Sequence, residues 1–132
     1  MAKAKKAKQI GLETSNEVGM LEKVSAVIAK VKVNITGICA YGMGEKAHFM
    51  LLLDRPAKAK NALSKAGFNP TEDEVILVEM VNRQGEMQRV AEKISGGGID
   101  IQYVYGTAGS GGLNFCVFKT NDDSKAIKAL RK

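Results

Sequence analysis

The chain has 132 residues, of which 45% are hydrophobic and 26% charged, with a formal charge of +6. That length allows one ordinary domain or two very small ones packed together, and the apolar share supports a folded core, which excludes a disordered chain. Nothing approaches the run of about 18–20 apolar residues that a membrane span requires, and the basic start MAKAKKAK leads into polar residues instead of a signal-peptide core, so the expected compartment is the cytoplasm.

Lys3, Lys5, Lys6 and Lys8 carry four of the six net charges. Residues 1–8 therefore read as a basic, solvated tail that frays at the terminus and is able to touch nucleic acid or anionic lipid. KQIGLET then reads as a strand, followed by the loop SNEVGML at 15–21. Met20, Leu21, Val24, Val27, Ile28 and Val31 recur at helical spacing and predict one apolar stripe. VNITGICAY is rich in β-branched residues, and the glycine turn GMGE joins it to AHFMLLL as a hairpin. RPAKAKNALSKAG is a short helix with Pro56 in its first turn; FNPTE connects it to the next repeat, and the closing strand of this first unit is expected from about residues 67–73.

The pattern then starts again. EVILVEM is a strand; Met87, Val90, Ala91 and Ile94 mark a helix that Gly96, Gly97 and Gly98 stop. IDIQYVYGT and LNFCVFK form a second hairpin across AGSGG, and DDSKAIKAL is the last helix. A shift of 66 residues superposes Asn16 on Asn82, Gly19 on Gly85, Val24 on Val90, Ile28 on Ile94, Ile35 on Ile101 and Phe49 on Phe115. A shift of 67 then superposes Lys58, Ala59, Ala62 and Leu63 on Lys125, Ala126, Ala129 and Leu130. The chain is a duplication.

Each copy runs β-α-β-β-α, one strand short of the ferredoxin-like unit. The predicted fold is α+β, two ferredoxin-like βαββα(β) repeats forming a continuous antiparallel sheet with helices on one face. Residues 1–8 are assigned to the tail, 9–73 to the first repeat and 74–132 to the second, whose fourth strand has no residues left to form it. Open edges and an uncovered sheet face favour self-association.

Catalytic chemistry finds no constellation in this sequence. Cys39 and Cys116 lie in apolar strands without C-x-x-C spacing and read as small hydrophobes. His48, the single histidine, reads as a polar residue on the wet face of a strand. GTAGSGG at 106–112 lacks the lysine and following Ser or Thr of a phosphate-binding loop and sits in a hairpin. The chain is therefore read as a non-enzyme, with no metal and no cofactor.

The stretches NEVGMLEKVSAVIAKVKVNITGI and NRQGEMQRVAEKISGGGIDIQYV resemble the ACT domain, a small regulatory module of amino-acid metabolism. The resemblance covers roughly residues 8–130 and extends to stand-alone tandem proteins with two such units and no enzyme. Gly19 with Leu21, and Asn34-Ile35, fill the family's characteristic places; Gly85 with Met87, and Asp100-Ile101, fill them again. Val18 and Gln84 stand where the family commonly has proline, which leaves the loop looser and adds a backbone N–H.

The resemblance implies a ligand site in which the loop of one unit faces the second strand of a neighbouring unit. The candidates so implied are Asn16, Glu17, Val18, Gly19, Met20, Leu21, Asn34, Ile35 and Thr36 in the first copy. In the second they are Asn82, Gln84, Gly85, Glu86, Met87, Asp100 and Ile101. A glycine before a helix lets backbone N–H groups approach a carboxylate, and an oxygen of Asn34 or Asp100 could accept from the ammonium of a free amino acid. Asn16 and Asn82 equally fit as helix caps or turn residues, and Asn34 and Asp100 as turn ties. Glu86 sets a negative charge against any ligand carboxylate, so the first loop is the expected site. The function read from this is ligand-linked oligomerisation, as a homodimer or higher homo-oligomer, or docking to a metabolic enzyme. The alternative is a nucleic-acid-binding sheet using Tyr103, Tyr105 and the basic tail.

Overall fold

A computed structural model describes residues 2–109 and 111–131, the side chain of Ala108 excepted. In chain order the elements are β1 (Lys3–Ser15), α1 (Met20–Lys30), β2 (Ile35–Met43), β3 (Lys46–Leu53), α2 (Pro56–Lys65), β4 (Thr71–Val81), α3 (Glu86–Gly96), β5 (Ile101–Ala108), β6 (Leu113–Thr120) and α4 (Asp123–Leu130). The six strands form an antiparallel sheet, and the fold is the α+β, ferredoxin-like repeat arrangement that the sequence predicts. Ser110, within the expected AGSGG turn, lies outside the described residues, as do Met1 and Lys132.

The chain divides into two compact units, Lys8–Asp73 and Met1–Ala7 with Glu74–Lys132. In the first, the strand order is β2-β3-β1 with the opening residues of β4 beside β1. Its core takes alternate residues of each strand, Ile10 and Leu12 from β1 and Ala47, Phe49, Leu51 and Leu53 from β3. Met20, Val24 and Ile28 of α1, spaced four apart, and Ala59 and Leu63 of α2 cover the same face. The helix stripe and the strand alternation thus bury one shared surface, each large side chain contributing about 1.5–3 kcal/mol.

The second unit repeats this with order β5-β6-β4 and a core of Ile76, Val78, Met80, Cys116 and Phe118 under Val90, Ile94, Ile127 and Leu130. The repeat extends to irregularities. The register of β2 slips between Ile35 and Gly37, and that of β5 between Ile101 and Tyr103, positions 66 apart. Both first helices close with an amide bonding five residues back, Val33 to the Ile28 carbonyl and Ile99 to that of Ile94. The residue between is left-handed in each case, Gly98 (φ 73) in one copy and Lys32 (φ 60) in the other.

Two expectations change. Residues 3–7 are not a frayed tail: they are the opening of β1, and they belong with residues 74–132 as the fourth strand that the second repeat lacks in its own stretch. Ala2 and Ala4 pack against that repeat's core, and Lys6 Nζ lies 3.6 Å from Glu74 Oε1. Ala2 and Ala4 alternate with Lys3 and Lys5, a short period-2 signal that the charge run and the Lys5-Lys6 pair obscure. Likewise, no separate strand fills 67–73. Thr71 to Asp73 are the first residues of β4, which continues as the second repeat's own first strand. They sit beside β1 in the first unit, with Lys8 Nζ 3.6 Å from Glu72 Oε2.

Candidate functional site

The two matching loops link β1 to α1 and β4 to α3. Each helix starts at a left-handed glycine, Gly19 with φ 87 and Gly85 with φ 86, and neither has a side-chain cap. A Cβ would meet nothing within 4 Å at either position, so the backbone conformation alone requires glycine. Asn16 and Asn82 are therefore not helix caps. The Asn16 side chain packs against Gly42 and donates through Nδ2 to the Gly44 carbonyl at 3.1 Å, while its amide donates to the Glu45 carbonyl at 2.9 Å. Asn16 thus anchors the loop to the β2–β3 turn. The Asn82 amide does the corresponding work on the Gly112 carbonyl at 2.8 Å.

The rest of the first loop faces water. Val18 is fully exposed and Leu21 is 53% exposed, whereas Met20 is buried in the core. Ser15 Oγ donates to Glu17 Oε2, and the Glu17 carbonyl accepts from the Met20 amide at 3.2 Å, which closes the turn. The positive end of α1 therefore opens on solvent.

The second loop is built differently. Glu86, the first residue of α3, is buried, and its Oε1 accepts from Arg83 Nε at 3.0 Å and Nη2 at 2.8 Å. Arg89 Nη1 stands 3.6 Å from the same oxygen. The hydrogen bond from Arg83 holds the Glu86 carboxyl below its ordinary value of 4.5, with the charges of Arg83 and Arg89 adding to that against the opposing effect of burial. A carboxylate with two arginines thus belongs to the helix start that Gln84, Gly85 and Met87 surround. The i,i+3 spacings of Arg83 and Arg89 about Glu86 are legible in the sequence. Because the folded value is depressed, the stability Glu86 contributes is fully present above the ordinary carboxylate range and is lost as pH falls through the lowered value. Acid titration of the thermal midpoint should show Glu86→Gln closing its gap to the parent protein below about pH 4; a gap that stays constant with pH would contradict this.

Asn34 and Asp100 are turn ties, through their backbones. The Asn34 amide donates to Asp54 Oδ1 at 2.9 Å, and the Asp54 amide returns to the Asn34 carbonyl at 3.1 Å. In the second copy the side chains are exchanged: the Asp100 amide donates to Asn121 Oδ1 at 3.0 Å and the Asn121 amide to the Asp100 carbonyl at 3.1 Å. Asp54 and Asn121 were missed from the sequence, although the exchange of Asn and Asp between copies is a signal for the pairing. Asn34 itself is exposed, with Ile35 half-buried and Thr36 donating through Oγ1 to the Leu52 carbonyl.

The fold does not bring Gly19 and Asn34 together within their unit. Ser15 pairs with Lys46 and Ile35 with Leu53, which puts the loop and Asn34 at opposite ends of β3. At about 3.3 Å per residue this is roughly 20 Å, far beyond the span of one amino acid. Among the other residues considered, His48 is half-buried, stacks on Tyr41 with ring centroids 5.2 Å apart and has Nδ1 3.7 Å from Glu13 Oε2. Burial pushes the Cys116 thiol up. Tyr103 and Tyr105 do share a face, their rings 6.4 Å apart, but Lys6 and Lys8 are paired with glutamates instead of lying on a free basic arm. Among the described residues no helix is long and apolar enough to cross a membrane.

The twice-repeated βαββα order is an ACT-like, ferredoxin-like fold, and solved structures share it. A protein from Bacteroides thetaiotaomicron superposes with a TM-score of 0.91 at 26% identity, covering 97% of this chain and 88% of that one. The ligand-free regulatory subunit of aspartate kinase from Thermus thermophilus gives 0.69 at 14% identity, covering 94% and 90%. The regulatory subunit of aspartate kinase from Thermus flavus gives 0.67 at 16%, covering 98% and 94%. The two aspartate kinase chains are regulatory subunits, and at 14% and 16% identity their likeness shows the fold. Neither a protein-family model nor a curated protein matches the chain.

Proposed function

We propose that the chain is a non-catalytic regulatory module of the tandem ACT type, which binds a free amino acid and acts through self-association or by docking to a metabolic enzyme. The observation that carries this reading is the open start of α1. Gly19 is left-handed and carries no side-chain cap, whereas the matching helix start at Gly85 has the carboxylate of Glu86 with two arginines beside it. The first loop is thus the one suited to a ligand carboxylate.

A second feature supports assembly. Exposed apolar residues recur at equivalent positions in both repeats: Leu21 and Met87 are 53% and 43% exposed, Ile38 and Val104 43% and 44%. Ile38 and Val104 lie on β2 and β5, the outer strands of their units. Exposed apolar groups beside an unpaired strand edge favour a partner. If β2 pairs antiparallel with β2 of a second copy, the two-fold sets the Gly19 loop of one chain against Asn34 of the other. The separation of these residues within one unit is then what the site requires. The ligand would join two copies, and binding and association would be linked.

A thermal-shift screen of the twenty amino acids at millimolar concentration tests the reading. At least one should raise the midpoint, since ligand at about 100 times Kd stabilises by roughly 2.7 kcal/mol. Light scattering should then report a larger particle with that ligand, and Asn34→Ala should abolish its calorimetric binding. No shift with any of the twenty would refute amino-acid binding.

A further inference from the structure

The helix side of the unit Lys8–Asp73 carries a groove that neither the loop nor the core explains. It lies between the last turns of α1 and the length of α2, encloses about 420 Å³, and is lined by Val27, Lys30, Val31, Lys58, Asn61, Ala62, Lys65 and Ala66. Val27, Val31 and Ala62 are half-buried and form an apolar floor with Ala66. The small residues Ala62 and Ala66, four apart on the α2 side, leave the space open. Three lysines rim this floor, and no acidic residue lines it. Among the described residues none of the three forms a salt bridge, although Lys8 and Lys46 of the same unit do.

The fold does not demand this surface. In the second repeat the positions matching Val27, Lys30 and Val31 hold Lys93, Gly96 and Gly97, so the same architecture is built there without the apolar floor. The groove begins about 12 Å along α1 from Gly19, at 1.5 Å per residue, and is separate from the loop.

We propose that this groove docks an acidic amphipathic helix of a partner protein. An apolar stripe would lie on Val27, Val31, Ala62 and Ala66, and carboxylates on either side of it would meet Lys30, Lys58 and Lys65. Lys58 and Lys65 are seven residues apart on one helix, about 10 Å, which matches carboxylates two turns apart on the incoming helix. The surface is concave and has no Trp, Tyr or Phe among its lining residues, which favours a helix over a bilayer.

The probe is a labelled helical peptide of about 12 residues, with leucines along one face and glutamates flanking them. Fluorescence anisotropy on the full chain should give saturable binding that weakens with salt. Methyl shifts in the protein's NMR spectrum should centre on Val27, Val31 and Ala62. Reversing the exposed rim with Lys30→Glu, Lys58→Glu and Lys65→Glu should weaken binding at least about tenfold while leaving the circular dichroism unchanged. If that variant loses its fold, Lys→Gln at the same three positions should still weaken binding and remove most of its salt dependence. Equal binding of a scrambled peptide with the same charge but no apolar stripe would overturn the proposal. So would binding of anionic vesicles in preference to the peptide, or peptide shifts mapping to another surface.

Discussion

Deleting residues 2–7 should lower the thermal midpoint by on the order of 5–15 °C. A solvated tail of the same composition would leave the midpoint unchanged. The segment supplies a strand beside β4, packs Ala2 and Ala4 on the core of Ile76, Val78 and Phe118, and places Lys6 against Glu74. The ion pair is half-exposed and contributes little. The strand pairing and the half-buried alanines dominate: several main-chain hydrogen bonds at about 0.5–1.5 kcal/mol each amount to roughly 2–4 kcal/mol. Hydrogen exchange localises the effect. Amides of β4 should lose protection, while those of β3, on the other unit, keep theirs. Replacing Lys3, Lys5, Lys6 and Lys8 with glutamine in the full-length chain should cost far less, because it keeps the strand and removes only charge. A deletion that leaves the midpoint within about a degree would show that these residues do not serve as a structural strand.

The second large effect is a difference between twin substitutions. Gly19→Ala and Gly85→Ala each place a side chain at a left-handed backbone, φ 87 and 86, with open space around the new Cβ. Each should therefore cost about the same, roughly 1–2 kcal/mol, read from denaturant midpoints. On the proposed function only Gly19→Ala should also lose the ligand-induced thermal shift, because the added strain and methyl group lie where the carboxylate would approach. Gly85→Ala should keep that shift, since the Glu86 carboxylate, held by Arg83 and Arg89, already stands beside its helix start. The pair separates a stability effect from a binding effect. Equal loss of the shift in both variants would mean that the two loops act together, and retention in both would remove the Gly19 loop from the site.

The duplication, the apolar stripes of the core and the order of elements, apart from the opening of β1 and the strand expected at 67–73, were determined by the sequence alone. Period-2 and period-3.6 apolar patterns carry that information locally, and comparing one half of the chain with the other strengthens each assignment. Gly19 and Gly85 were legible for the same reason, since a left-handed backbone favours glycine and both copies keep it at this turn. What only the tertiary structure decided concerns partners far apart in the chain. The lysine-rich start reads as a tail because charge dominates its composition. Its role as a strand depends on an edge some 70 residues away, next to β4. The destination of the Asn34 and Asp100 amides depends on Asp54 and Asn121, across a hairpin. That Gly19 and Asn34 lie at opposite ends of β3 follows from strand direction and register, which hydrogen bonding between strands sets and no local pattern encodes.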